Sequence, residues 1–218
     1  MEEYVCDQEM YDMLYDNPSM ILYMKSRYQT SKLWKFCIER DSSIFARMEN
    51  PTEDIVEYAL DVDGENIIPL LNKFEYIKLT KRMAFIALRT FPGAILYIPS
   101  DILTEEMMDM AFNAQPSLLA VKDGLSEEYL LRRVHARPSD IRYIKNPTDV
   151  MKYTALERDP NTFVYMDDLN PNMIHLLNDI KPGLADLYTN TLESEITYHA
   201  ENTEKDGEAE SNQWANSY

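Results

Sequence analysis

Hydrophobic and polar positions along this chain recur with a fixed period of 22 residues between Thr104 and Tyr188. Each period begins with a residue type that caps helices, namely Thr104, Ser126, Thr148 and Asn170. A proline stands twelve residues after each cap, at Pro116, Pro138, Pro160 and Pro182. Two independent markers with one period indicate a repeat architecture.

Each repeat predicts two helices. Apolar residues three, four, seven and eight places after the cap form one face of an amphipathic α-helix, as at Met107, Met108, Ala111 and Phe112. The proline ends this helix and fits the first turn of a second, shorter one. Apolar residues of the second helix lie fifteen and seventeen places after the cap. They are Ile95, Leu119, Ile141 and Phe163 at the first position, and Tyr97, Val121, Tyr143 and Tyr165 at the second.

A helical hairpin of this length buries its apolar face only by stacking on its neighbours. We therefore predict an all-α fold, an α-solenoid of stacked short hairpins over residues 31–188, with its first unit starting at Ser31. Residues 1–30 are predicted to be a degenerate N-terminal capping repeat, broken at Pro18. Residues 189–218 are predicted to be an acidic, disordered C-terminal tail, with a short helix around 192–198 as the alternative.

One step of the repeat is longer than the others, because 28 residues separate the caps Thr52 and Thr80. The extra residues predict a polar turn at 61–64 and a longer second helix at 67–77. The acids around Gly64 resemble a calcium loop, but position 72, where such a loop ends in glutamate, is Asn72. The polar turn is the favoured interpretation.

The formal net charge of −17 argues against nonspecific binding to nucleic acid or to anionic membranes. Most of the charge lies at the ends, since residues 1–24 hold six acids without Lys or Arg and residues 189–218 hold seven acids and one Lys. The sequence shows neither a secretory signal nor an apolar run long enough to span a membrane, so we predict a cytoplasmic protein. Its two cysteines, Cys6 and Cys37, are too few for a disulfide framework, and a single bridge is the disfavoured alternative.

Candidate chemistry is sparse. The three histidines His135, His175 and His199 lack metal-ligand spacing, and five glycines form no phosphate-binding loop. Paired carboxylates such as Glu105 and Glu106 have a sufficient structural role at helix starts. We therefore predict no enzymatic activity, no cofactor and no metal.

Two surfaces are candidates for a partner. A basic cluster in this acidic chain predicts a docking patch for an acidic partner or for the chain's own tail. It comprises Arg132, Arg133, His135, Arg137, Arg142 and Lys145, with Lys152 beyond. The alternative is a solvated face that pairs with nearby acids such as Asp140. The second candidate is an apolar stripe five places after the cap, at Phe36, Phe85, Leu131 and Tyr153. Deeper burial of these side chains is the favoured explanation of the stripe.

The segment from Tyr143 to Thr148, Tyr-Ile-Lys-Asn-Pro-Thr, is followed by an acidic and apolar helix. It resembles the consensus of short helical repeats in proteins of large tailed bacteriophages and giant DNA viruses. Weaker matches at 46–52 and 164–170 extend the resemblance over about residues 31–188. Ser43 and Gly64 depart from it at the proline, and Arg133 departs at the small residue. The resemblance implies viral origin and an interaction role in the host cytoplasm, or in the virion.

Two functions follow as hypotheses. The first is a noncatalytic scaffold or adaptor that binds a host or virion protein through the solenoid surface. The alternative is an acidic inhibitor that mimics nucleic acid and blocks a host DNA-binding protein. The concentration of charge at the chain ends favours the first.

Overall fold

The computed structural model of the protein describes residues 7–189, which form helices and connecting turns. The α-helices α1 to α9 are Asp7–Asp16, Ser31–Arg40, Glu53–Val62, Ile67–Lys73, Lys81–Thr90, Glu105–Ala114, Glu127–Ala136, Asp149–Arg158 and Pro171–Ile180. The 3₁₀ helices η1 to η8 are Pro18–Tyr23, Ser26–Tyr28, Ser42–Arg47, Gly64–Asn66, Pro92–Leu96, Pro116–Ala120, Pro138–Tyr143 and Pro160–Tyr165. The all-α prediction is confirmed for this part of the chain.

The repeated cap residues start the helices as predicted. Each side-chain oxygen accepts a hydrogen bond from the backbone N–H three residues later, at Thr30, Thr80, Thr104, Ser126, Thr148 and Asn170. Thr52 precedes α3 without this bond. The predicted start at Ser31 is wrong by one residue, because Thr30 is the cap and Ser31 is the first helical residue. The step from Thr30 to Thr52 is therefore also 22 residues.

In four repeats the second helix is a 3₁₀ helix that begins at the repeated proline, whereas Pro182 lies in a turn and the chain is α-helical at 184–189. Pro92, Pro116, Pro138 and Pro160 are the first residues of η5 to η8. A 3₁₀ helix has three residues per turn, so the residues fifteen and eighteen places after the cap (positions fifteen and eighteen) lie on one face. The apolar residues at position seventeen lie off this face, since Tyr97, Val121 and Tyr165 are 42%, 55% and 42% exposed and Tyr143 is half-buried. Position eighteen is buried instead at Ile98, Ile144, Met166 and Tyr188, and it is half-buried at Lys122.

The described residues fall into two compact units that divide between Asp123 and Gly124. In the N-terminal unit, α1, α2, α3, α5 and α6 pack against one another in chain order. In the C-terminal unit α7 packs on α8 and α8 on α9, and η7 contacts η8. The C-terminal core is made by equivalent positions of successive repeats, among them Val134, Ile141, Met151, Leu156, Phe163, Met173 and Leu177. Within each unit, neighbouring repeats bury one another's apolar faces.

The long step between Thr52 and Thr80 contains a short α-helix, α4, after η4. A second helix is therefore present where 67–77 was predicted, but it ends at Lys73 and is seven residues long. Gly64 is buried where the chain approaches α5, and its N–H donates to Thr90 Oγ1 at 2.8 Å. A Cβ atom at this position would lie 2.0 Å from the Ala87 carbonyl oxygen. Glycine occupies the place of the repeated proline here because the backbones are too close for a side chain.

The N-terminal residues follow the repeat order as predicted, with α1, a break at Asn17, and η1 from Pro18. Met10, Leu14 and Ile21 are buried there. The predictions for residues 190–218, disorder or a short helix at 192–198, lie outside the described residues, and so does Cys6. Among the described helices, none combines the length and the apolar character that crossing a membrane requires.

Candidate protein-interaction surface

The predicted basic cluster lies in the C-terminal unit, on α7, η7 and the turn that follows η7. Arg132, Arg137, Arg142 and Lys145 are exposed. Arg133 is 6% exposed. The prediction that Arg133 belongs to an exposed patch is therefore wrong, and four of the five predicted residues remain at the surface.

Arg133 forms a buried ion pair with Asp140. Its Nη2 atom lies 2.8 Å from Asp140 Oδ2, and each side chain is 5% exposed. These residues occupy positions seven and fourteen of their repeat, where the preceding repeat has the buried pair Ala111 and Leu118. The arginine and the aspartate thus replace two apolar core residues together. The sequence signal for this pair is that a basic and an acidic residue occupy two positions that are apolar and buried in the preceding repeat.

Lys152, which follows the cluster in sequence, is also buried. Its Nζ atom lies 2.5 Å from Asp168 Oδ1 and donates to the Asp168 backbone oxygen at 3.2 Å. The lysine side chain is 7% exposed and the aspartate 86%. The hydrogen bond and the positive charge of Lys152 lower the pKa of Asp168 below its ordinary value of 3.8. Lys152 therefore holds the segment that follows η8 and does not belong to an exposed patch.

We expect Asp168→Asn to lower the free energy of unfolding at neutral pH by up to about 1 kcal/mol, because the carboxylate end of the pair is exposed to solvent. A lowered pKa in the folded state stabilises the fold above the ordinary value, and this contribution is lost as pH falls through the lowered value. The difference between the two proteins should therefore shrink below about pH 4. Urea unfolding from pH 7 to pH 2 measures it. Asp167→Asn, at the neighbouring exposed residue, is the control, and an equal loss in both variants would contradict the pairing.

Arg142 lies against two tyrosines at the surface of the C-terminal unit. Its guanidinium carbon is 4.6 Å from the centre of the Tyr143 ring and 5.5 Å from the centre of the Tyr165 ring. Tyr143 follows Arg142 in η7, and Tyr165 occupies the equivalent position in η8. Cations over aromatic faces are stabilised by the ring quadrupole, by about 0.5 to 1 kcal/mol at exposed sites. The contact therefore joins the exposed faces of two successive repeats.

We name this region the basic–aromatic surface and define it by Arg142, Tyr143, Lys145, Val164 and Tyr165. Tyr143 is half-buried, whereas Val164 is 61% and Tyr165 42% exposed. Arginine and tyrosine are the residue types enriched at the centres of protein interfaces, since they offer large, rigid contact area and hydrogen bonds. The guanidinium group presents donors that suit carboxylates. The arrangement can therefore hold a carboxylate beside an apolar side chain.

The predicted apolar stripe is half-buried at all four positions. Leu131 and Tyr153 pack against the core of the C-terminal unit, which supports the interpretation of deeper burial. Phe36 packs edge-on against Tyr11, with ring centres 4.8 Å apart, and Arg40 lies over its ring. Phe36 is six places after the true cap, so it does not belong to the stripe. The residues of the predicted stripe therefore contribute to packing and do not form an exposed apolar surface.

A cleft of about 570 Å³ in the N-terminal unit is lined by charged residues of α2, α3 and α5. Ion pairs join successive helices across it, between Lys35 and Asp54, Arg82 and Glu57, and Arg89 and Asp61, at 2.9, 2.8 and 2.9 Å. Tyr58 also donates a hydrogen bond to Glu39. Much of the negative charge on this face is therefore neutralised by neighbours in the next repeat.

Reactive side chains have ordinary structural surroundings in the described part of the chain. Cys37 is fully buried, and burial raises the pKa of its thiol to about 11, so the nucleophilic thiolate is disfavoured. His135 and His175 are exposed, and His175 Nδ1 lies 3.9 Å from Asp179 in the same helix. Between residues 7 and 189, no three His, Cys, Asp or Glu side chains are grouped to hold a metal ion.

A scan against protein-family models, a search of curated proteins and a search of solved structures each found no match to this chain. The assignment of the candidate site therefore rests on the geometry of the basic–aromatic surface.

Proposed function

We propose that this protein is a noncatalytic α-solenoid scaffold that binds another protein through the basic–aromatic surface. The observation that carries the proposal is the contact of Arg142 with Tyr143 and Tyr165 beside the exposed Val164. In the sequence-based hypothesis the partner is a host or virion protein, and viral origin stays an expectation of the resemblance.

The chemistry of the surface specifies the kind of segment that it binds. Arg142 and Lys145 at the η7 end attract carboxylates, and Val164 with Tyr165 at the η8 end offers apolar contact. Residues 124–189 hold eight Lys and Arg against ten Asp and Glu, whereas residues 7–123 hold twelve against nineteen. An acidic partner is therefore repelled less by the C-terminal unit than by the N-terminal one. We infer that the partner presents carboxylates next to an aromatic or aliphatic side chain.

Selection from a random peptide display library tests this inference without a known partner. We expect the enriched peptides to contain acidic residues next to apolar ones. The charge reversal Arg142→Glu/Lys145→Glu should weaken a selected peptide at least tenfold, or about 1.4 kcal/mol, and Tyr165→Ala should weaken it as well. Fluorescence anisotropy gives the dissociation constants, and circular dichroism checks the fold.

Lys78→Glu/Lys81→Glu is the matched control, because both lysines are exposed and lie in the N-terminal unit. It changes the net charge by the same amount as the reversal at the surface. Equal weakening by both double variants would show that only net charge matters, and the proposed surface would then be wrong.

The alternative function, an acidic mimic of nucleic acid, is favoured by the net charge of −17. The ion pairs across the cleft of α2, α3 and α5 weigh against it, because they neutralise carboxylates that a basic partner would need. The same selection separates the two functions, since a mimic would enrich basic peptides. The affinity of the basic peptides for such a mimic would collapse as the salt concentration is raised. Acidic peptides bound at the basic–aromatic surface would keep part of their affinity, because contacts with aromatic side chains are not screened by salt.

A further inference from the structure

We propose that residues 190–218 of this chain are themselves a ligand of the basic–aromatic surface, and that they compete there with the protein partner. The inference rests on the proposed function and names a regulator of the same site. Three observations lead to it: the composition of the segment, the place where the described chain ends, and the distribution of charge across the surface.

The composition of residues 190–218 matches the chemistry of the surface. The segment holds seven acidic residues and one lysine, which gives a formal charge of −6. Apolar residues stand beside these acids, as Leu192 precedes Glu193 and Ile196 follows Glu195. The segment therefore has carboxylates next to apolar side chains, which is the pattern inferred for the partner.

The described chain ends beside η8, the helix that carries Val164 and Tyr165. Tyr188 packs edge-on against Phe163 of η8, with ring centres 6.3 Å apart. Its hydroxyl accepts a hydrogen bond from the Leu169 N–H at 2.9 Å and donates one to the Asp167 oxygen at 3.2 Å. Phe163 is one residue before Val164 and two before Tyr165. The segment thus leaves the fold from an anchor that is packed on the same 3₁₀ helix.

The segment is long enough to reach the surface and short enough to be concentrated there. For scale, a random coil of the same length, 29 residues, has a root-mean-square end-to-end distance of about 30 Å. A tethered ligand of this length has an effective concentration on the order of millimolar. A weak contact is therefore sufficient to occupy the surface in a large share of molecules.

Charge within the surface orients the bound segment. Arg142 and Lys145 lie at the η7 end, whereas the exposed acids Asp167 and Asp168 follow η8. Asp168 is partly neutralised by Lys152, but Asp167 still repels carboxylates. We therefore place the carboxylates of the segment against Arg142 and Lys145, and its apolar residues against Val164 and Tyr165.

Zero-length crosslinking with a carbodiimide tests this placement in the full-length chain, because the reagent joins carboxylates to lysine amines that touch. We expect crosslinks from Lys145 to Glu193, Glu195 or other acids of the segment. Arg142→Glu and Tyr165→Ala both keep Lys145, and each should reduce these crosslinks at least fivefold. Lys78, an exposed lysine of the N-terminal unit, is the internal control. Crosslinks of the segment to Lys145 that are no more frequent than those to Lys78 would overturn the inference.

A mixture of ¹⁴N- and ¹⁵N-labelled protein identifies which copy supplies the segment. We expect crosslinked peptides that are wholly light or wholly heavy. Mixed pairs that dominate in dilute solution would show that a second copy fills the surface, and this result would also overturn the inference.

Competition gives a second measurement in a chain of unchanged length. A full-length variant with every acid of residues 190–218 changed to its amide should bind the selected acidic peptide about tenfold more tightly than the natural chain. An unchanged dissociation constant would overturn the inference and leave the proposed function intact. Peptide binding that is insensitive to the surface substitutions would instead remove the proposed function, while the crosslinks would still test the segment independently.

Discussion

Arg133→Ala is expected to lower the free energy of unfolding of the C-terminal unit by about 3 to 5 kcal/mol, because it leaves the Asp140 carboxylate buried without the guanidinium group. Asp140→Leu should cost a similar amount, since it leaves the buried arginine without its carboxylate. The double variant Arg133→Ala/Asp140→Leu recreates the Ala111 and Leu118 combination of the preceding repeat. We expect it to be as stable as the natural protein or more stable.

Urea unfolding and hydrogen exchange of the amides of α7 and α8 measure these changes. Arg137→Ala, at an exposed arginine four residues on, is the matched control and should change stability by less than about 0.5 kcal/mol. A double variant as unstable as the two single variants together would contradict the interpretation, because the pair would then contribute more than an apolar core does.

Gly64→Ala is expected to cost about 3 kcal/mol or more, because the new Cβ would lie 2.0 Å from the carbonyl oxygen of Ala87 and 2.8 Å from Phe91 Cβ. The nearest atom belongs to the backbone of α5, so it cannot be relieved by rotating a side chain. Separation of η4 from α5 would also weaken the hydrogen bond from Gly64 to Thr90. Thermal unfolding followed by circular dichroism measures the loss.

Gly124→Ala provides a control for glycine replacement in general. Gly124 has a φ of +77° and no atom within 4 Å of an added Cβ, so only backbone strain of about 1 to 2 kcal/mol is expected. Gly93→Ala would meet only ring atoms of Phe91, which can move. A cost at Gly64 no larger than that at Gly124 would show that η4 and α5 are not held in close contact.

Helix boundaries were predictable from the sequence because they depend on local chemistry. Caps such as Thr104 and Ser126 satisfy N–H groups of their own helix, and Pro116 and Pro138 fix the start of the next one. The error at Ser31 arose because Thr30 and Ser31 are both capping residues, and only the register to Thr52 distinguishes them.

The buried face of the second helix was not predictable with an α-helical period. A 3₁₀ helix places Ile141 and Ile144 on one face and turns Tyr143 away from it. For the same reason the tyrosines were grouped with the buried residues fifteen places after the cap and missed as part of the candidate site. Arg133 was wrongly predicted to be exposed because the prediction considered its charge alone. Its partner Asp140 lies seven residues later, at another core position of the same repeat.

The 3₁₀ helices separate the residues that hold the fold from those that are exposed to solvent. Side chains at positions fifteen and eighteen pack in the core between neighbouring repeats. Position seventeen is exposed or half-buried and carries residues as different as Tyr97, Val121 and Tyr165. A substitution at position seventeen therefore changes the exposed surface with little effect on stability. The surface of such a chain can be remodelled one side chain at a time, without passing through an unfolded variant.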